Sequence, residues 1–351
     1  MDKLKKNLPT PRSKRRVFIV CIATFLISLL LLVPISHMSC EPLPERQDGL
    51  PDALEAASRR PFDGVSFENL NKPSTDNHVL ILTMINPSTV RYLADFFKTV
   101  RKLEHPNLSM ALLIINPGPT TVHAVRQHIE HTRVAFPVKL YVKTYEDSIM
   151  SFILTPGKET VYELQPLRRA AIARARNFLL QSALESKHQY TLWLDPLLAW
   201  FPSTLVQDLI AVDEDIVVPN TMIQREGNEW GHDKRNWQET ELSISLSKEV
   251  PEDFIFMEGW LEFTTHRFLM IDMTEMENKV PLDGIGSTCI LTRASVHREG
   301  INFPAFPFRH HIDTEGFAKA AAAAGYTVYG LPGYKIYHTG IPDNGLHEDN
   351  L

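Results

Sequence analysis

Cysteine is scarce in this chain of 351 residues, which contains only Cys21, Cys40 and Cys289. Two of the three lie in or beside an apolar stretch near the N-terminus, so one cysteine is left for the rest of the chain. A framework of disulfide bonds is therefore excluded, even in an oxidising compartment. Residues 78–351 must be held together by a hydrophobic core, and they are numerous enough to bury one.

Net positive charge is absent beyond the first sixteen residues. That tail carries seven basic side chains and one acidic one, a net of six positive charges, whereas the whole chain has a formal net charge of −6. The remaining chain therefore carries −12. Because proteins that bind nucleic acid need a net basic surface, we exclude nucleic acid as a partner of this part of the chain.

Charge is absent from residues 17–35, a run of nineteen residues. As a helix this run would span about 28 Å, close to the thickness of a bilayer core. The basic tail at residues 1–16 predicts a cytosolic N-terminus and an uncleaved transmembrane signal anchor at 17–35. The alternative is a cleaved signal peptide, whose apolar core is usually shorter, about 7–15 residues.

The chain changes character twice after the anchor. Residues 36–77 are rich in proline and charge and have no sustained apolar period, which predicts a stem that holds a luminal domain off the membrane. From residue 78 to 351 short apolar runs alternate with helical patterns. The runs cover 79–85, 110–116, 138–145, 190–195 and 215–220, and the helical patterns cover 88–102, 119–131, 166–184 and 202–212. This alternation predicts an α/β domain with a mainly parallel sheet.

The helical pattern that begins at Pro166 contains four arginines in nine residues. Its predicted core stripe, at helical spacing, consists of Leu167, Ala171, Ala175 and Phe178. Arg169 and Arg176 lie seven residues apart on the opposite face, where guanidinium groups can bind phosphates bidentately. The alternative is a solvated charged face.

Asp195 ends the fourth predicted strand, in the sequence LWLDPLLAW. A carboxylate at the carboxyl end of such a strand points into the ligand crevice of an α/β sheet, where it can bind a divalent ion or a ribose hydroxyl. The alternative is a helix N-cap or a turn aspartate before Pro196. His338 follows a strand-like run and is a candidate metal ligand, although a lone histidine is more often structural.

Three loop segments carry further polar chemistry. The segment 230–241 mixes aromatic rings, carboxylates and amides, as carbohydrate sites do, or it is a surface loop with partly buried tryptophans. The segment 281–287 is a glycine turn that allows backbone to approach a ligand. The segment 306–317 places charged residues before a helix, which Asp313 caps if it has no other role.

The order of these segments resembles glycosyltransferase family 62, the fungal mannan-polymerase mannosyltransferases. The resemblance extends over residues 79–338 and rests on the succession RRAAIARARNFLL, LWLD, RNWQETE, PLDGIGSTCILTR, DTEGFAKAAAAAGY and GLPGYKIYH. It implies a GT-A fold, GDP-mannose as donor, a Mn²⁺ ion, and retaining transfer of α-linked mannose to mannan or an N-glycan. It also implies a Golgi membrane location with the domain luminal, and related mannosyltransferases as partners in a hetero-oligomer.

The resemblance matches Arg176, Asn177, Asp283, Glu315 and His338 to the family's motifs, and together with the residue patterns above it leads to the following expected roles. Catalysis is expected of Asp283, Asp313 and Glu315, and metal binding of Asp195 and His338. Binding of the nucleotide sugar is expected of Thr83, Arg169, Arg176, Asn177 and Asp195.

One departure from the family pattern concerns the metal. The family has Asp-x-Asp at the end of the fourth strand, whereas this chain has Asp195-Pro196-Leu197. Leucine offers no oxygen to an ion. Two hypotheses follow: a working mannosyltransferase whose metal is held by Asp195, His338 and the diphosphate, or a catalytically weak subunit that binds nucleotide sugar or glycan. A membrane-tethered lectin is a third reading, but it would not need the arginine helix.

Overall fold

The computed structural model describes residues 77–146, 148–154, 161–225, 227–260, 262–273 and 278–340. The predicted cytosolic tail, the anchor and the stem up to residue 76 lie outside these ranges. Within the ranges, no helix is both long and apolar enough to cross a membrane.

The strands and helices alternate along the chain as predicted. The strands are β1 (His78–Ile85), β2 (Leu108–Ile115), β3 (Val138–Lys143), β4 (His188–Leu194), β5 (Leu198–Trp200), β6 (Ile216–Arg225), β7 (Asn228–Gly231), β8 (Trp237–Gln238), β9 (Phe268–Leu269), β10 (Val280–Pro281), β11 (Cys289–Arg293) and β12 (Val328–His338). The helices are α1 (Leu93–Val100), α2 (Thr121–Thr132), α3 (Ser148–Ile153), α4 (Gln165–Ala183), α5 (Leu205–Ala211), α6 (Glu241–Ser247), α7 (Ala294–Arg298) and α8 (Asp313–Ala323).

One large sheet organises the described part of the chain, in the strand order β10-β12-β6-β11-β4-β1-β2-β3. The pairs β2–β3, β1–β2, β1–β4 and β6–β12 are parallel. Strand β11 is antiparallel to both of its neighbours, β4 and β6. The predicted α/β class is confirmed, but the sheet is mixed, because β11 enters its middle in the opposite direction.

Two hydrophobic layers cover the two faces of this sheet. Alternate residues of β1 belong to different layers: Val79 and Ile81 to one, Leu80 and Leu82 to the other. Burial on both faces explains why the strands are continuous apolar runs rather than alternating ones.

Helix α4 keeps most of its predicted core stripe and differs from the prediction at Leu167. Ala171 and Ala175 of the predicted stripe are buried, but Leu167 is 51% exposed, so its assignment to the core is wrong. Arg169 and Arg176, on the other face, are buried rather than solvated. Helix α8 packs against α4 and supplies carboxylates, so a charged face can be buried there.

Candidate functional site

A cleft opens where β1 and β4 end, and α4 forms one of its walls. It encloses about 960 Å³, counting the space open to solvent. Arg235, Ser287 and Asp313 join the lining from later parts of the chain. Ligands of α/β sheets bind at this edge.

Four arginines line the cleft: Arg168, Arg169, Arg176 and Arg235. All four are buried. Arg169 donates from Nη1 to Oε2 of Glu315 over 2.5 Å, whereas its buried Nη2 has no hydrogen-bond partner among the described residues. Burial lowers the pKa of Arg169, and the Glu315 carboxylate opposes that shift. An unsatisfied buried guanidinium N–H is costly, and an anion in the cleft would satisfy it.

Arg176 is held by a different carboxylate and by two rings. Its Nε donates to Oδ1 of Asp313 over 3.1 Å. Its guanidinium carbon lies 5.1 Å from the centroid of the Trp193 ring and 5.5 Å from that of Phe303. Asp313 has a φ of 52°, a left-handed conformation that is rare for a non-glycine residue and that clusters at functional sites. Asp313 is not the N-cap of α8, because Ile312 occupies that position.

Asp233 fixes the position of Arg235. Its Oδ1 accepts from Nε of Arg235 at 3.2 Å, and its Oδ2 accepts from Oγ1 of Thr288 at 2.7 Å and from the backbone N–H of Ser287 at 3.0 Å. Burial acts to raise the pKa of Asp233, but Arg235 and these hydrogen bonds outweigh it, so the pKa is lowered. We did not single out either residue from the sequence. Both residues belong to the mixed polar segment 230–241, for which a carbohydrate site and a surface loop were both open.

Glu315 lies behind Arg169 rather than on the surface of the cleft. Its Oε1 accepts from Nε1 of Trp237 at 3.0 Å while its Oε2 holds Arg169. Burial raises the pKa of Glu315, and Arg169 opposes the shift. Because both carboxylate oxygens of Glu315 accept hydrogen bonds from buried donors, Glu315 serves to hold the Arg169 side chain in position.

Asp195 and His338, the predicted metal ligands, lie close together. His338 Nε2 is 3.9 Å from Asp195 Oδ1, and the His338 ring stacks on His232 with centroids 3.9 Å apart. Asp195 Oδ1 also accepts from the backbone N–H of Leu197 at 2.7 Å, which is the turn geometry considered as the alternative role. Burial, followed by His232, lowers the pKa of His338 well below its ordinary value.

This pair does not fit a manganese ion by itself. His338 Nδ1 accepts from the backbone N–H of Gly340 at 3.2 Å, so the proton of the neutral ring is on Nε2, the nitrogen that faces Asp195. Leu197 is buried in the cleft wall where the family has its second aspartate. No group of three or more histidine, cysteine or carboxylate side chains among the described residues is arranged to hold a metal. Manganese prefers about six oxygen or nitrogen ligands, so most would have to come from elsewhere.

Five predicted site residues do not line the cleft: Glu315 and His338, described above, and Asn177, Asp283 and Thr83. Asn177 donates to the carbonyl of Phe303 at 2.7 Å and accepts from its N–H at 3.1 Å. Asp283 accepts from the backbone N–H of Glu239 at 2.8 Å. Thr83 is fully buried within β1, and its hydroxyl has no partner among the described residues.

The glycine turn at 281–287 accommodates the protein's own side chains. A Cβ on Gly284 would lie 2.2 Å from the Trp237 ring, and one on Gly286 would lie 1.9 Å from Asp233. Both glycines are therefore required by the packing of Trp237 and Asp233.

The fold and the cleft define an α/β protein with an arginine-lined cleft at the carboxyl edge of its sheet. The chain is a member of the Anp1 family, whose profile matches residues 66–307. It is 35% identical over 277 residues to the mannan polymerase complex subunit mnn9 of Schizosaccharomyces pombe, covering 74% of this chain and 79% of that protein. It is 33% identical over 270 residues to the mannan polymerase II complex anp1 subunit of the same yeast, covering 73% of this chain and 63% of that protein.

A further relative and a solved structure are also similar to this chain. The mannan polymerase II complex ANP1 subunit of Saccharomyces cerevisiae is 36% identical over 270 residues, and the match spans 72% of this chain and 53% of that protein. A mannosyltransferase structure from Pyrobaculum calidifontis, in complex with GDP-Man and Mn²⁺, is 13% identical with a TM-score of 0.43, covering 84% of this chain and 64% of that one.

Proposed function

We propose that this chain is a mannosyltransferase subunit of a mannan polymerase complex, with a GT-A type domain that binds GDP-mannose in the arginine-lined cleft. The observation that carries the proposal is the buried Nη2 of Arg169, a hydrogen-bond donor that has no partner among the described residues. Arg169 is one of four arginines that line the cleft. A diphosphate has the oxygens to accept from such donors, and guanidinium groups match its geometry.

The reaction would exchange one bond for another at the anomeric carbon of mannose. The bond from C1 to the β-phosphate oxygen breaks and GDP leaves with the electron pair. A bond forms from C1 to an acceptor hydroxyl oxygen, with retained configuration, and the hydroxyl proton is released. Arg169 and Arg176, held in place by Glu315 and Asp313, stabilise the negative charge that develops on GDP.

Binding of GDP to the full-length chain, measured by calorimetry, tests the donor site. Substituting Arg169 alone would leave Glu315 buried and unpaired, so the informative variant is the double substitution R169Q/E315Q, which removes both charges and keeps polar groups. Arg174, exposed on the same helix, provides the control R174Q. A charge-assisted hydrogen bond contributes about 1.5–3 kcal/mol, so the double variant should bind GDP at least about tenfold more weakly. Equal affinity of the double variant and the control would remove Arg169 from the site.

A second candidate function is a subunit that binds nucleotide sugar without transferring it. Leu197 at the position of a metal ligand favours it, as do the ion pairs that engage both Asp313 and Glu315. Transfer from GDP-mannose to an α-mannoside, assayed with GDP binding on one preparation, separates the two. GDP binding without transfer would favour this second function.

The location that we propose is the Golgi membrane, with residues 17–35 as the anchor and the α/β domain in the lumen. The uncharged run behind a basic tail supports this topology. In sealed microsomes, protease should leave the domain intact until detergent is added. Digestion without detergent would overturn the proposal.

A further inference from the structure

We propose that the exposed ring of Trp200, together with Tyr337, Glu229 and Lys335, forms a subsite that binds a neutral glycan chain, the acceptor of the transfer. This inference rests on the proposed function. We call these four residues the β5–β12 platform.

The platform is built on two paired strands. β5 and β12 are antiparallel, and Trp200 is directly opposite Tyr337. Their ring centroids are 5.7 Å apart in an edge-to-face arrangement, and 48% of Trp200 remains exposed. Large exposed aromatic residues of this kind are enriched at binding sites, because a ring contributes much contact area for little conformational entropy.

The polar groups beside the two rings are held in place by hydrogen bonds to one another, before any ligand binds. Glu229 accepts from the hydroxyl of Tyr337 at 2.5 Å and from the ammonium group of Lys335 at 2.5 Å. The hydrogen bond to Glu229 raises the pKa of the Tyr337 hydroxyl, so it stays a donor at neutral pH. The carboxylate and the ammonium group cancel each other's charge, so the platform attracts neither anions nor cations strongly.

A neutral surface that combines a flat ring with fixed hydrogen-bonding groups matches the chemistry of a pyranose. One face of a pyranose carries C–H groups that pack on an aromatic ring, and its rim carries hydroxyl groups that need donors and acceptors.

The platform is continuous with the cleft wall. Leu197 lines the cleft, its carbonyl accepts from the backbone N–H of Thr339 at 3.0 Å, and β5 begins at the next residue. Trp200 is three residues beyond Leu197, a span of at most about 10 Å. A glycan whose reacting hydroxyl enters the cleft can therefore extend along β5 onto the platform.

Trp230 provides a matched control in the same region of the sheet. Trp230 is 56% exposed. It pairs with Ile223 of β6, and Ile223 pairs in turn with His338, the residue that follows Tyr337 in β12. Successive residues of a strand face opposite sides of a sheet, so Trp230 is expected to face away from the platform. The chain has five tryptophans, and the other three, Trp193, Trp237 and Trp260, are buried.

Fluorine NMR of the full-length chain labelled with 5-fluorotryptophan tests the inference on the unsubstituted site. Tryptophan variants are needed only to assign the signals. Titration with an α-linked mannotetraose should shift the Trp200 signal and leave the Trp230 signal in place, and β-linked cellotetraose should shift neither. W200A should raise the KM for the mannoside acceptor about tenfold with the affinity for GDP unchanged. V142A, at a 46% exposed position of β3 on the opposite edge of the sheet, should change neither. W200F should recover part of the loss.

The possible results separate the platform, its preference for mannosides and the proposed function. An unmoved Trp200 signal in a chain that binds GDP would overturn the platform and leave the proposed donor site standing. Equal shifts with both tetrasaccharides would overturn its assignment to mannosides. Loss of GDP binding in the parent chain would instead count against the proposed function.

Discussion

The Arg169 guanidinium and the Glu315 carboxylate meet at 2.5 Å where only 5% and 2% of the two side chains are exposed. They are 146 residues apart in the chain, on α4 and α8. Taking two charges out of water is expensive, so such a pair adds little net stability, but removing one partner is severely destabilising. The pair therefore fixes how α8 packs on α4 and holds Arg169 in the lining of the cleft.

The first prediction concerns this pair. E315Q keeps an acceptor for Trp237 but leaves the Arg169 charge buried without a counter-ion. We expect the free energy of unfolding to fall by about 3–5 kcal/mol, measured by urea denaturation. D95N removes the carboxylate of an exposed pair with Lys98 and should change nothing measurable. A similarly small change in E315Q would show that the buried pair is not formed.

The second prediction concerns stability in acid. The pKa of Asp233 is lowered in the folded state, so the unfolded chain binds its proton more readily. Its contribution is therefore present above the unfolded pKa, about 3.9, and is lost as the pH falls through the lower folded value. D233N should unfold more easily at neutral pH and show a shallower loss of stability below about pH 4. Parallel curves for variant and parent would exclude Asp233 as a source of the acid sensitivity.

The third prediction separates structure from binding at Asn177. Its side chain makes two hydrogen bonds to the backbone of Phe303, so N177A should lower the free energy of unfolding by about 1–3 kcal/mol. GDP affinity of the folded variant should equal that of the parent. A variant that is fully stable but binds GDP weakly would restore the nucleotide role implied by the family resemblance.

The fourth prediction addresses the metal through Leu197. L197D places a carboxylate beside Asp195 and His338, and a hard oxygen there suits a divalent ion that bridges a diphosphate. We expect Mn²⁺ with GDP to raise the melting temperature of the variant more than that of the parent. L197N, similar in size but uncharged, is the control. If L197D melts lower than the parent and ignores Mn²⁺, its aspartate is buried and unpaired, and position 197 belongs to no metal site.

Several site residues could be predicted from the sequence because each is next to a recognisable local pattern. Asp195 follows an apolar strand, and Arg169 and Arg176 are on one long helix, so their place at the carboxyl edge of the sheet was predictable. Arg235 was not, because it belongs to a loop whose position depends on Asp233 and on the turn at Ser287. Loops carry no periodic signal that shows which way a side chain points.

The sequence by itself determined the alternation of strands and helices, because strands buried on both faces must be continuous apolar runs, and those runs are local. Tertiary structure alone decided the reversed direction of β11 and the burial of the arginine face of α4. It also decided that Glu315 and Asp313 hold Arg169 and Arg176. Each of these depends on partners that are distant in the chain. A charged residue has the same local pattern whether water or a carboxylate from α8 surrounds it, so only the folded chain distinguishes the two.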